Sequence, residues 1–89
     1  ERTITIPKDK YDLFIQGYRG KIELEVTRIT RQGSMSIRLN DKDLSVPPIE
    51  KGTNVILFTE KEATEGSNTL KFSGTGGWDV GEVRILMER

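Results

Sequence analysis

Two stretches of the chain alternate apolar and polar residues without a break. Lys21-Ile22-Glu23-Leu24-Glu25-Val26-Thr27 is one, and Ser34-Met35-Ser36-Ile37-Arg38-Leu39-Asn40 is the other. Side chains of an extended strand point to opposite faces in turn, so a period of two predicts a strand with one face on a core and one in water. A helix cannot use this pattern, because it would spread the apolar residues around its whole circumference. Other segments extend the theme. Thr3-Ile4-Thr5-Ile6 reads as a short opening strand stopped by Pro7, and Thr69-Leu70-Lys71-Phe72 and residues 80–87 as later strands. Val55-Ile56-Leu57-Phe58 is continuously apolar, which predicts a strand buried on both faces. Counting residues 12–16 as extended gives roughly seven strands.

The connections carry turn chemistry. Asn40-Asp41-Lys42-Asp43 suits a tight hairpin, and Gly66-Ser67-Asn68 and Gly74-Thr75-Gly76-Gly77 read as turns or loops. Pro47-Pro48 bars a central strand at that point. Residues 60–66 have room for one helical turn. Short strands at this spacing predict an all-β chain, a two-sheet antiparallel β-sandwich, as one domain over residues 1–89. The predicted core is Ile4, Ile6, Leu13, Ile15, Ile22, Leu24, Val26, Met35, Ile37, Leu39, Val55, Leu57, Leu70, Phe72, Val83 and Ile85.

Composition narrows the function. The chain has no His and no Cys, which removes the commonest general base, the usual zinc ligands and any thiolate nucleophile. Its Ser and Thr residues therefore lack a usual activating partner, and its glycines match no phosphate loop. The expectation is a domain that is not an enzyme. Lys and Arg together number 14 and balance 14 Asp and Glu, so no basic footprint for nucleic acid or an anionic membrane is expected. The first residue is Glu1 rather than Met, which suggests a module cut from a larger protein.

Two places hold candidate binding residues. Trp78, the single Trp, adjoins Asp79 after three glycines at 74, 76 and 77. An outward Trp stacks on the C–H face of a sugar ring, while an inward one caps the end of the sandwich. Asp79 is placed to bond sugar hydroxyls, to offer an oxygen to calcium, or to close the loop onto main-chain N–H groups. Gly17-Tyr18-Arg19-Gly20 reads as a turn presenting Tyr18 and Arg19, with partial core packing the other reading of Tyr18. Asn40 and Asp41, in the hairpin turn, are candidates for the same ligand surface.

Taken in order, residues 12–20, the alternating strand at 22–26, Ser36-Ile37-Arg38-Leu39-Asn40-Asp41-Lys42-Asp43-Leu44, Gly66-Ser67-Asn68-Thr69-Leu70-Lys71-Phe72 and residues 78–85 resemble the small jelly-roll carbohydrate-binding modules of the galactose-binding-like superfamily. Gly77-Trp78-Asp79-Val80 before Val83-Arg84-Ile85 is most similar to the calcium-dependent xylan-binding modules. The resemblance implies a non-catalytic accessory module that holds a plant-type or cell-wall polysaccharide weakly. It implies covalently attached catalytic or surface domains in the parent chain and an extracellular or cell-surface location. Those xylan binders carry a second acidic calcium ligand several residues before the Trp-Asp pair, where this chain has Ser73-Gly74-Thr75-Gly76. One carboxylate is too few for tight calcium, so no cofactor is expected, with Asp79 the one calcium candidate. A structural or protein-interaction sandwich without a sugar site is the competing expectation.

Overall fold

A computed structural model describes all 89 residues. Seven strands form two antiparallel sheets: β1 (Arg2–Ile6), β2 (Arg19–Arg31), β3 (Met35–Leu39), β4 (Lys42–Asp43), β5 (Gly52–Phe58), β6 (Gly66–Gly74) and β7 (Gly77–Glu88). The four-stranded sheet runs β1-β6-β3-β4 and the three-stranded sheet β5-β2-β7. The chain crosses between sheets at every connection but β3–β4, so the two sheets form one antiparallel sandwich.

The alternating segments behave as their period dictates. In β2, Ile22, Leu24 and Val26 are buried, while Lys21, Glu23 and Glu25 point outward. In β3, Met35, Ile37 and Leu39 are buried. Ile6 and Leu70 extend the inner face of the β3 sheet, Ile56 and Phe58 that of the β2 sheet, and the two faces form one continuous core. Burial of each such aliphatic side chain stabilises by roughly 1.5–3 kcal/mol, the main favourable term in a chain without disulfides.

Several local expectations are corrected. β5 is not buried on both faces but alternates: Asn54, Ile56 and Phe58 face inward, while Val55 and Leu57 are 41% and 44% exposed. Gly20 fixes this phase. It pairs with Phe58 across β2 and β5, and a Cβ on Gly20 would lie within the Phe58 ring. The ring thus occupies the space a side chain would take. Residues 12–16 are not extended. A single helical turn, α1 (Lys8–Tyr11), runs into a 3-10 helix over Asp12–Gln16. Phe14 is the buried member of that turn, and Ile15 is 84% exposed, because helical spacing turns neighbours to different sides. The seventh strand is instead the two-residue β4. Asn68 lies inside β6 rather than in a turn, and its buried amide is fully bonded. Residues 60–66 carry turns without a helix.

The hairpin expectation at Asn40-Asp41 holds. Both residues have positive φ, 51° and 66°, which is the backbone of a two-residue type I′ turn whose twist matches the flanking strands.

Candidate functional site

The six candidate residues divide between the two ends of the sandwich. Trp78 pairs with Ile29 near the far end of β2, whereas Tyr18 and Arg19 stand at its start. Arg19 and Ile29 are ten residues apart along one strand, roughly 30 Å at strand rise.

At the first end, Trp78 belongs to β7 rather than to a loop tip, and it is half-buried against the core. A bulge explains the direction of its side chain. Leu24 pairs with Val83 and Val26 with Val80, so β7 holds one more residue than β2 over this interval. The extra residue, at Gly81-Glu82, switches the inward phase from Val83 and Ile85 to Val80 and Trp78. The indole then lies over Gly76, where an added Cβ would come within 2.6 Å of the ring. The short connection at Thr75-Gly76 also packs against Gly33, and Thr75 N donates to Ser34 O at 3.1 Å. Asp79 points out of the sheet. Its Oδ2 accepts from Arg28 Nε at 2.8 Å, and its main-chain oxygen accepts from Thr27 Oγ1 at 3.1 Å. The carboxylate is thus engaged by a cross-strand guanidinium, and no group of three acidic or imidazole side chains gathers there or elsewhere to hold a metal ion.

The second end is more open. Pro7 O accepts from Lys10 N and Tyr11 N, which starts α1. Gly17, in the left-handed region at φ 88°, ends the 3-10 helix, with Gly17 N donating to Phe14 O and Tyr18 N to Leu13 O. This cap delivers Tyr18 to the surface directly before β2. The Arg89 guanidinium lies 5.2 Å from the centre of the Tyr18 ring, a cation–π contact on one face. Beneath, Tyr11 packs edge-on against Phe14 and Phe14 edge-on against Phe58, so the turn is anchored to the core by three aromatic rings.

Between this turn and residues 59–62 runs an open cleft of about 520 Å³, lined by Phe14, Gly17, Tyr18, Thr59, Glu60, Lys61 and Glu62. A second hollow of about 290 Å³ shares Thr59 and Glu62 and adds Arg19, Asp43 and Ser45. The cleft wall is preorganised. Glu62 Oε1 accepts from Thr59 N at 2.8 Å and from Thr59 Oγ1 at 3.1 Å, closing the 59–62 turn on itself. Asn40 braces it from behind by donating to Glu62 O at 2.9 Å. Asn40 therefore adjoins the cleft, but its amide is committed internally: Nδ2 also donates to Asn68 Oδ1, and Oδ1 accepts from Thr69 N. Asp41 accepts from Lys71 Nζ at 3.3 Å on the outer face of the four-stranded sheet. Nearby on α1, the hydrogen bond from Lys8 to Asp12 holds that lysine above its ordinary pKa.

The structure thus brings Tyr18, Arg19 and Asn40 to one end and sets Trp78 and Asp79 apart at the other. Sequence reasoning missed Thr59, Glu60, Lys61 and Glu62. The Thr-x-x-Glu spacing of Thr59 and Glu62, a turn-closing pattern, was the available signal. Comparison with models of known protein families, with curated proteins and with solved structures finds no match to this chain.

Proposed function

We propose that this chain is a non-catalytic binding module of a larger secreted or surface protein, and that it takes a saccharide at the Tyr18 end of the sandwich. The observation that carries this reading is the open cleft of about 520 Å³ with an aromatic ring on one wall and Thr59, Glu60, Lys61 and Glu62 on the other. A sugar offers an apolar ring face and a rim of hydroxyls. A phenol ring beside hydroxyl, carboxylate and ammonium groups complements both. The cleft is wide and shallow, which suits an internal stretch of a chain polymer and weak binding. The absence of His and Cys from the chain supports a binding role over a hydrolytic one.

The competing reading, a scaffold or protein-interaction domain without a sugar site, draws on Trp78. The largest aromatic surface of the chain is turned inward over Gly76 instead of outward.

Calorimetric titration with xylan, mannan, glucan and galactan oligosaccharides separates them. The sugar reading expects heat with at least one glycan and its loss in Tyr18→Ala. No heat with any glycan favours the scaffold.

A further inference from the structure

An antiparallel sandwich has four sheet edges, and each presents main-chain N–H and C=O groups able to take a further strand. Three edges of this chain are guarded. β4 is two residues long and both are charged. β1 begins at Arg2 and is stopped by Pro7. β7 carries Glu82, Arg84 and Glu88, and its pairing with β2 is broken by three register shifts.

β5 has none of these devices. Its seven residues, Gly-Thr-Asn-Val-Ile-Leu-Phe, include no charge and no proline. It pairs with β2 on one side only, and its register there is unbroken from Val26–Gly52 to Gly20–Phe58. The 44–51 segment leading into β5 is tied to it through the inward Asn54 side chain, which bonds Glu50 N and O, and no main-chain hydrogen bond outside the regular elements reaches β5. On the outer face of the same strand, Val55 and Leu57 are two of the chain's four exposed large hydrophobic residues.

We propose that β5 pairs edge to edge with β5 of a second copy, antiparallel about a two-fold axis, to make one continuous six-stranded sheet. An uncharged strand meets itself without like-charge contacts. Antiparallel self-pairing is also isologous, so it closes at two copies. Equal length lets the unpaired N–H and C=O groups of one β5 match those of the other. The period of two keeps the outer face outward on both copies: about an axis at Val55, the central residue, Val55 faces Val55 of the second copy and Leu57 faces Thr53, diagonal to that Val55, so the two outer faces join in one uncharged, largely apolar patch.

Sedimentation velocity over a concentration series reaching the millimolar range is the test. The wild-type chain is expected to sediment as a dimer at the upper concentrations. Val55→Lys, and independently Leu57→Lys, are expected to weaken the dimer about tenfold or more while the far-ultraviolet circular dichroism spectrum stays that of the wild type. Leu86→Lys, on the same outer face but on β7, is expected to leave the dimer intact, which separates edge pairing from face-to-face packing. A wild-type chain that remains monomeric through the millimolar range overturns the proposal. So does a dimer that Leu86→Lys dissociates and Val55→Lys does not.

Discussion

Asn40 Nδ2 donates to Asn68 Oδ1 at 2.8 Å, and this one bond ties the β3–β4 turn to the first residues of β6. Asn68 is buried, and its amide also accepts from Thr64 N at 2.8 Å and donates to Thr64 O and Gly66 O, each at 2.9 Å. Three chain segments thus meet on two side chains, and no buried side-chain polar atom in the protein lacks a partner. Asn68→Ala would leave one of the two Asn40 Nδ2 hydrogens and the Thr64 N–H without their partner. We expect a loss of roughly 1–3 kcal/mol, read as a lower urea midpoint at unchanged slope. A double-mutant cycle with Asn40→Ala should be non-additive, because both changes remove the same bond.

Gly20→Ala tests the pairing of β2 with β5. The added methyl group would occupy the position of the Phe58 ring, which is wedged between Gly20 and Phe14. Overpacking of this kind costs about 1–3 kcal/mol. Equal urea midpoints for Gly20→Ala and the wild type would refute the assigned register.

Leu24→Ala and Ile15→Ala make a contrasting pair. Leu24 is wholly buried on the central strand, so its truncation should cost about 2–5 kcal/mol. Ile15 is 84% exposed, and its truncation should change stability by less than about 0.5 kcal/mol. Thermal or urea unfolding of both variants checks this directly.

Most of the sandwich was legible from period-two alternation, because β2 and β3 each have one wet and one dry face. β5 and the Asp12–Gln16 turn were not. An all-apolar run such as Val55-Ile56-Leu57-Phe58 does not reveal which residues face inward. That phase comes from a partner, Gly20, more than thirty residues earlier in the chain. Asp12–Gln16 is too short for any periodicity to decide between helix and strand. Of the candidate residues read from the sequence, Tyr18 lines the cleft, and Arg19 and Asn40 adjoin it. The direction of Trp78 depends on one extra residue near Gly81, and a bulge has no reliable signature in a single sequence.

Asp79→Ala should be nearly silent in stability. Its bond to Arg28 joins two groups whose side chains are 50% and 70% exposed, and such pairs contribute less than about 1 kcal/mol. Raising the salt concentration should shrink even that difference. For the same reason calcium titration should give no tight site, since the carboxylate already faces a guanidinium. A micromolar calcium isotherm lost in Asp79→Ala would be the contrary result.

Amide chemical-shift mapping during oligosaccharide titration locates the ligand surface residue by residue. A saccharide that binds should move the resonances of Tyr18, Arg19 and residues 59–62 and leave the Trp78 indole N–H, at the other end of the sandwich, where it was. Shifts centred on Trp78 and Asp79, or none with any glycan, would rule out a saccharide site at the Tyr18 end.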